Sequence, residues 1–175
     1  MNITLTHNTP NVSLATLEID LEGLDRYDYA ALIEEWQDQI REDMGYDEDA
    51  EDAPKKPIIN YQVAAYDDIP DRLMAEDGPS RTAWDYLEAM ASDRNGYEPE
   101  VYWAAEALGI PASDVEEAYQ GQFDSDEEFA QTMADDLGLI QNDLSWPYDC
   151  ISWPDAAREL MTDYVTEDGW YFRIM

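Results

Sequence analysis

A chain of 175 residues with 45% apolar side chains, six Trp and twelve Tyr can build a packed core, which separates it from acidic disordered tails. Forty-two Asp and Glu against nine Lys and Arg leave a formal charge of −33. That field opposes compaction, excludes unaided binding to nucleic acid or an anionic membrane, and favours basic partners.

In chain order, the first regular element lies in residues 12–22. There Leu17, Ile19 and Leu21 alternate with Glu18, Asp20 and Glu22, the pattern of a half-buried strand. Over 28–43 the period becomes helical. Tyr29, Leu32, Ile33, Trp36 and Ile40 form the apolar stripe, Asp28 is the expected N-cap, and Gly45 is the stop. The outward face of this helix carries Glu34, Glu35, Asp38, Glu42 and Asp43. Residues 46–57, YDEDAEDAPKKP, have the composition of a linker. Ile59, Tyr61, Val63 and Ala65 then alternate as a second strand that ends in the turn signal YDDIP.

From about 80 to 138 the pattern is helical. A first helix over 80–92 buries Trp84, Leu87 and Met90 or Ala91. A second begins at Pro99, a residue suited to the first helical position, and presents Val101, Ala104, Ala105 and Leu108 before Gly109. A third opens on the capping-box pattern Ser113 to Glu116 and stops at Gly121. A fourth opens on a second such pattern, Ser125 to Glu128, turns Phe129, Met133 and Leu137 inward, and closes at Gly138. After a loop holding Trp146 and Pro147, a fifth helix starts near Ser152 with the stripe Trp153, Ala156 or Ala157, Leu160, Met161 and Tyr164. The closing WYFRIM reads as a terminal strand. The elements make the chain α+β and mostly helical.

Catalytic and metal-binding patterns are missing from the sequence. His7 is the sole histidine, expected to be an ordinary exposed side chain, and Cys150 the sole cysteine, expected to be buried packing. No intrachain disulfide can form, and zinc finds no soft ligand set. A calcium loop started at Asp47 places Asp52 where glycine is needed and Ile58 at its last ligand position, and one started at Asp124 places Phe129 at the glycine. Phosphate-binding glycine loops are absent. With 42 acids, a pair of carboxylates carries no information about acid–base chemistry. The chain is read as a non-enzyme without a cofactor. Lacking a basic-then-apolar leader or a long apolar run, it is read as soluble and intracellular.

The acids ride on the polar faces of the expected helices. Beyond the five on 28–43, Glu116 and Glu117 lie on the third helix of the 80–138 region. Asp126, Glu127, Glu128, Asp135 and Asp136 lie on the fourth, and Asp155, Glu159 and Asp163 on the fifth. Three- and four-residue spacings set such side chains roughly 5–6 Å apart, a phosphate-like interval. At about one charge per 1.7 Å of duplex axis, the net charge corresponds to roughly 56 Å, or about 16 base pairs. A solvated acidic face, a halophile's surface and a DNA mimic all meet this description.

The last third carries a resemblance. Tyr119, Gly121, Phe123, Ser125, Glu128, Phe129 and Ala130 match a Tyr-x-Gly-x-aromatic-x-Ser-x-x-Asp/Glu-Phe-Ala phrase. Ser152, Trp153, Ala156, Ala157, Arg158, Glu159 and Leu160 match a second phrase, and Gly169, Phe172 and Arg173 a closing Gly-x-x-Phe-Arg. In these the chain resembles the ArdA antirestriction family. The likeness covers about 110–175 and, less densely, 58–110. Over 1–57 only Ile19 to Leu21 and the following helix fit.

The resemblance implies a protein of phages or mobile elements that evades host defence and acts in the bacterial cytoplasm. It implies an elongated chain of small α/β subdomains with the shape of bent duplex DNA, frequently a homodimer. The expected subdomains are 1–70, an N-terminal α+β part that includes the acidic linker; 71–110, helical; and 111–175, α+β. The implied partner is a Type I restriction–modification enzyme, whose methyltransferase and specificity subunits it blocks at their DNA site. The quoted aromatic and glycine positions are read as fold determinants and the acids as the partner-binding groups. Competing readings are a mimic aimed at a CRISPR effector or a nucleoid protein, and a halophilic acidic protein of unrelated role. If folding crowds the carboxylates, their pKa values rise, and stability should grow from pH 7 toward about 5 and with salt.

Overall fold

The structure, a computed structural model, describes residues 1–10, 12, 16–48, 54–139 and 150–175. The chain divides into two compact units, Met1–Pro99 and Glu100–Met175. Residues 49–53 of the expected linker and the loop with Trp146 and Pro147 lie outside the described residues.

The first unit is built on a strand that the sequence reading did not assign. β1 (Asn2–His7) buries Ile3, Leu5 and His7 and turns Asn2, Thr4 and Thr6 the other way. Its mixture of Thr, Asn and His dilutes the hydropathy signal, while its β-branched residues suit a pleated surface. β1 is the centre of an antiparallel sheet in the order β2-β1-β3, between β2 (Thr16–Asp20) and β3 (Tyr61–Tyr66). The register sets Ile3 opposite Ile19 and Leu5 opposite Leu17. A bulge at Thr4 and Leu5 interrupts the pairing with β3.

α1 (Arg26–Asp43) covers this sheet with Tyr29, Ile33, Trp36 and Ile40, all buried; Leu32, expected in the same stripe, is exposed. The N-cap is Asp25, not Asp28. Its carboxylate accepts from the amides of Tyr27 and Asp28 at 2.7 and 2.8 Å. Asp28 thereby sits in the first turn, where an acid still favours the helix dipole. At the other end Gly45 takes φ +79°, and the amides of Gly45 and Tyr46 reach back to the carbonyls of Glu42 and Arg41. This Schellman closure needs a left-handed residue, which glycine supplies. A short hairpin of β4 (Met74–Ala75) and β5 (Gly78–Pro79) leads into α2 (Arg81–Ser92). Ser80 caps α2 by accepting the Ala83 amide at 3.2 Å. Trp84 of α2 packs on Tyr29 with ring centroids 5.1 Å apart, and Met90 rather than Ala91 takes the half-buried place.

The second unit opens with α3 (Pro99–Ala107), which buries Val101, Tyr102, Trp103, Ala104 and Ala105. The helix expected to run from 113 to Gly121 is a single turn, α4 (Val115–Ala118), with no side-chain cap. Ser113 donates its hydroxyl to Asp114 instead of accepting an amide. The chain then enters β6 (Tyr119–Gln122), because its aromatic and glycine residues pair with the C-terminal strand. α5 (Asp126–Asp136) does begin at Ser125, whose hydroxyl accepts the Glu128 amide at 3.2 Å. Glu128 closes the box one residue early, on the Asp124 amide at 2.8 Å. Phe129 is fully buried and Met133 partly so, but Leu137, expected inside, is the exposed C-cap.

α6 (Trp153–Leu160) packs along α5, with Ala157 buried and the rest of its stripe half-buried. Tyr164, expected on that helix, instead starts β7 (Tyr164–Glu167). Asp168 and Gly169, at φ 50° and 83°, turn the chain into β8 (Trp170–Arg173). Two successive left-handed residues are what a tight hairpin requires. β8 is the middle strand of the sheet β6-β8-β7 and buries Tyr171 and Phe172. No helix among the described residues is long and apolar enough to cross a membrane.

Candidate functional site

The helix period decides which acids share a face. On α1, Glu34, Asp38 and Glu42 recur every fourth residue, a step of about 6 Å along the axis. Glu35 and Asp43 run beside them. On α5, Glu127 and Asp135 form one row and Glu128 and Asp136 the next, with Gln131 and Thr132 between. Asp155, Glu159 and Asp163 repeat at four-residue steps on α6 and the turn after it. Glu116 and Glu117 lie on the single turn α4 rather than on a full helix, so they do not extend a helical row. Of these side chains all are exposed except Asp38, which is half-buried.

The structure separates these acids into two kinds. Asp38 meets Lys56 at 3.0 Å and also holds the Arg41 guanidinium. Asp155 accepts the Ser152 hydroxyl at 2.6 Å and faces Arg158 at 2.7 Å. Asp126 accepts the Tyr171 hydroxyl at 2.7 Å, and Glu128 closes the α5 cap. Asp43 also interacts within the chain. These acids serve the fold at least in part. Glu34, Glu35, Glu42, Glu116, Glu117, Glu127, Asp135, Asp136, Glu159 and Asp163 form no ion pair or side-chain hydrogen bond among the described residues. Their charge is directed to solvent and uncompensated.

Several of the scarce cations are spent on structure. Arg41 is buried, donating through Nε to the Pro57 carbonyl at 2.9 Å and through Nη1 to Asp38. Arg26 of α1 reaches α2, with Nε at 2.7 Å from Glu88 and Nη2 at 3.0 Å from Asp85. That three-residue cluster escaped the sequence reading because its partners lie 59 and 62 positions away. A cavity of about 290 Å³ between α1 and β3 is lined by Tyr29, Ile33, Glu34, Gln37, Arg41, Lys56 and Tyr61. Its lining carries the two cations Arg41 and Lys56 and one acid, Glu34.

Two expectations are overturned. His7 is not an exposed side chain. It is 8% exposed, its ring lies edge-on to Trp36 at 5.4 Å, and Nδ1 accepts the Thr9 amide at 3.0 Å. Its place on an alternating strand buries it, a consequence of the missed β1. Cys150 is exposed rather than packed. Among the described residues no group of three or more His, Cys, Asp or Glu is arranged to hold a metal ion.

At four carboxylates folding moves titration in the direction opposite to the crowding expectation. Lys56, then Arg41, hold Asp38 below the usual carboxylate range. The Asn2 amide and side chain do so for Asp67, Arg26 for Glu88, and Ser152 with Arg158 for Asp155. A depressed folded pKa means that the native state binds fewer protons. The associated stability is present above the unfolded values near pH ~4 and is lost as pH falls below them. In alkali, burial followed by the Asp126 hydrogen bond pushes the Tyr171 phenol up to about 12. That contribution is intact below the free phenol's value of about 10 and disappears as pH rises past it. Urea midpoints measured across pH should therefore fall at both extremes. An acid limb that rises continuously down to pH ~2 would contradict the assignment of these ion pairs.

Comparison with known protein families, with characterised proteins and with solved structures finds no match to this chain.

Proposed function

We propose that the chain is an antirestriction protein, a protein mimic of duplex DNA that occupies the DNA-binding groove of a Type I restriction–modification enzyme. One observation carries the reading: the outward faces of α1 and α5 hold acids at helical repeats that enter no ion pair among the described residues. These are Glu34, Glu35 and Glu42 on the first helix, and Glu127, Asp135 and Asp136 on the second. On their helices these six acids are adjacent or seven to nine residues apart, not at the three- and four-residue spacings through which helix side chains support one another. A stable fold does not require them.

A groove that binds duplex DNA exchanges the counterions of its Lys and Arg side chains for phosphates. Carboxylates fixed on helices present the same opportunity. The long-range field of a chain with charge −33 would steer the encounter. No base edge needs to be copied, because positioning on DNA runs mainly through phosphates. The motif likeness around Tyr119–Ala130 and Ser152–Leu160 points to the same target class and assigns the inhibition to the methyltransferase and specificity subunits.

DNA cleavage by a purified Type I enzyme, assayed with increasing amounts of this protein, tests the reading. Cleavage should stop at protein concentrations where polyglutamate of equal total charge leaves it intact. Undiminished cleavage in excess protein, or equal inhibition by polyglutamate, would refute it.

A further inference from the structure

The segment from α2 to α3 contains the sequence's single Asn-Gly pair, Asn95 and Gly96. Both residues are exposed and lie outside any helix or strand. We propose that Asn95 is a site of spontaneous deamidation in the folded protein. The modification converts it to aspartate and isoaspartate and adds one negative charge.

The chemistry needs only water. The Gly96 amide nitrogen attacks Cγ of Asn95, a C–N bond forms, and ammonia leaves with the displaced side-chain nitrogen. The resulting succinimide is opened by water at either carbonyl. One opening restores the normal backbone as aspartate; the other carries the main chain through the former side chain as isoaspartate. Nothing is oxidised or reduced.

Three features of the loop favour the attack. The nucleophile is unhindered: Gly96 takes φ +72°, and a Cβ built there would meet nothing within 4 Å. The nucleophile is also unengaged: among the described residues the Gly96 amide has no hydrogen-bond acceptor and the Asn95 carboxamide no partner. Finally, the Asp93 carboxylate accepts the amides on both sides, Asn95 through Oδ1 and Tyr97 through Oδ2, each at 2.7 Å. The turn is thus held by its flanks, and the amide that must react is the one left over.

Other described asparagines lack this combination. Asn2 donates its carboxamide to Asp67 and precedes Ile3. Asn8 precedes Thr9, whose amide is donated to His7 at 3.0 Å. Asn60 precedes Tyr61, a bulky residue that hinders attack.

The test is peptide mass mapping of the full-length protein after incubation at mildly alkaline pH, with a urea-unfolded sample beside it. The expected result is an amide-to-acid mass gain on the Asn95 peptide, split into two isomers, at a rate comparable to the unfolded chain. The intact protein should gain one step of retention on anion exchange, matched by Asn95→Asp and abolished in Asn95→Gln. Hydroxylamine, which traps the succinimide, should cut the native chain between Asn95 and Gly96. A native rate an order of magnitude below the unfolded rate, or a gain that maps to Asn8 or Asn60 instead, would overturn the proposal.

Discussion

Replacing Phe129 by alanine is expected to destabilise the C-terminal unit by about 3–5 kcal/mol, the range for truncating a buried phenylalanine. The ring is fully buried. Its centroid lies 4.7 Å from Tyr171, 5.0 Å from Tyr164 and 5.1 Å from Phe123. It therefore ties α5 to β7, to β8 and to the turn after β6. Two losses add: the transfer energy of the ring and the void left among aromatic neighbours that are themselves held by the sheet. Tyr171 is fixed further by its hydrogen bond to Asp126 at the start of α5, so it cannot swing in to fill the space. Urea denaturation with near-ultraviolet circular dichroism reads this directly. A loss under about 1 kcal/mol would mean that the cluster relaxes freely and does not organise the unit.

The second large effect concerns binding and leaves the fold nearly unchanged. A variant carrying Glu34→Gln, Glu35→Gln, Glu42→Gln, Glu127→Gln, Asp135→Asn and Asp136→Asn removes acids that have no internal partner. Its melting temperature should stay nearly unchanged, since none of the six stands three or four residues from another on its helix. Inhibition should collapse. Each acid that meets a cation contributes about 1 to the log–log salt slope, so the slope of the six-fold variant should be shallower by up to about 6. Asp38 and Asp155 are poor choices for this experiment, because their neutralisation would strand Lys56, Arg41 or Arg158 as well. An inhibition constant that is unchanged in the six-fold variant would remove these faces from the mechanism.

Where periodicity was long and capped, the sequence was sufficient. The Tyr29, Ile33, Trp36 and Ile40 stripe, the Ser125 cap, the Gly45 and Gly138 stops and the final strand all appear where the pattern places them. Most of the failures share one cause: strand pairing overrides local helical signals. Asn2–His7 looks polar until it is seen between Thr16–Asp20 and Tyr61–Tyr66. Tyr119–Gln122 reads as a helix end because its strand partner, Trp170–Arg173, is far along the chain, whereas Tyr164 is drawn into the α6 stripe although its partner is the adjacent arm of a hairpin. The exposed acids were legible in kind from the helix period. Which of them are neutralised was not, since Lys56 approaches Asp38, and Arg26 approaches Glu88, only through tertiary contact.

The central claim is that carboxylates on these helices compete for a site shaped for phosphates. It is tested most directly by equilibrium displacement of a fluorescent duplex from a purified Type I methyltransferase–specificity complex, repeated at several salt concentrations. The account predicts complete, competitive displacement whose affinity falls steeply with salt, as counterion release demands. Binding that leaves the duplex in place, or displacement indifferent to salt, would contradict it.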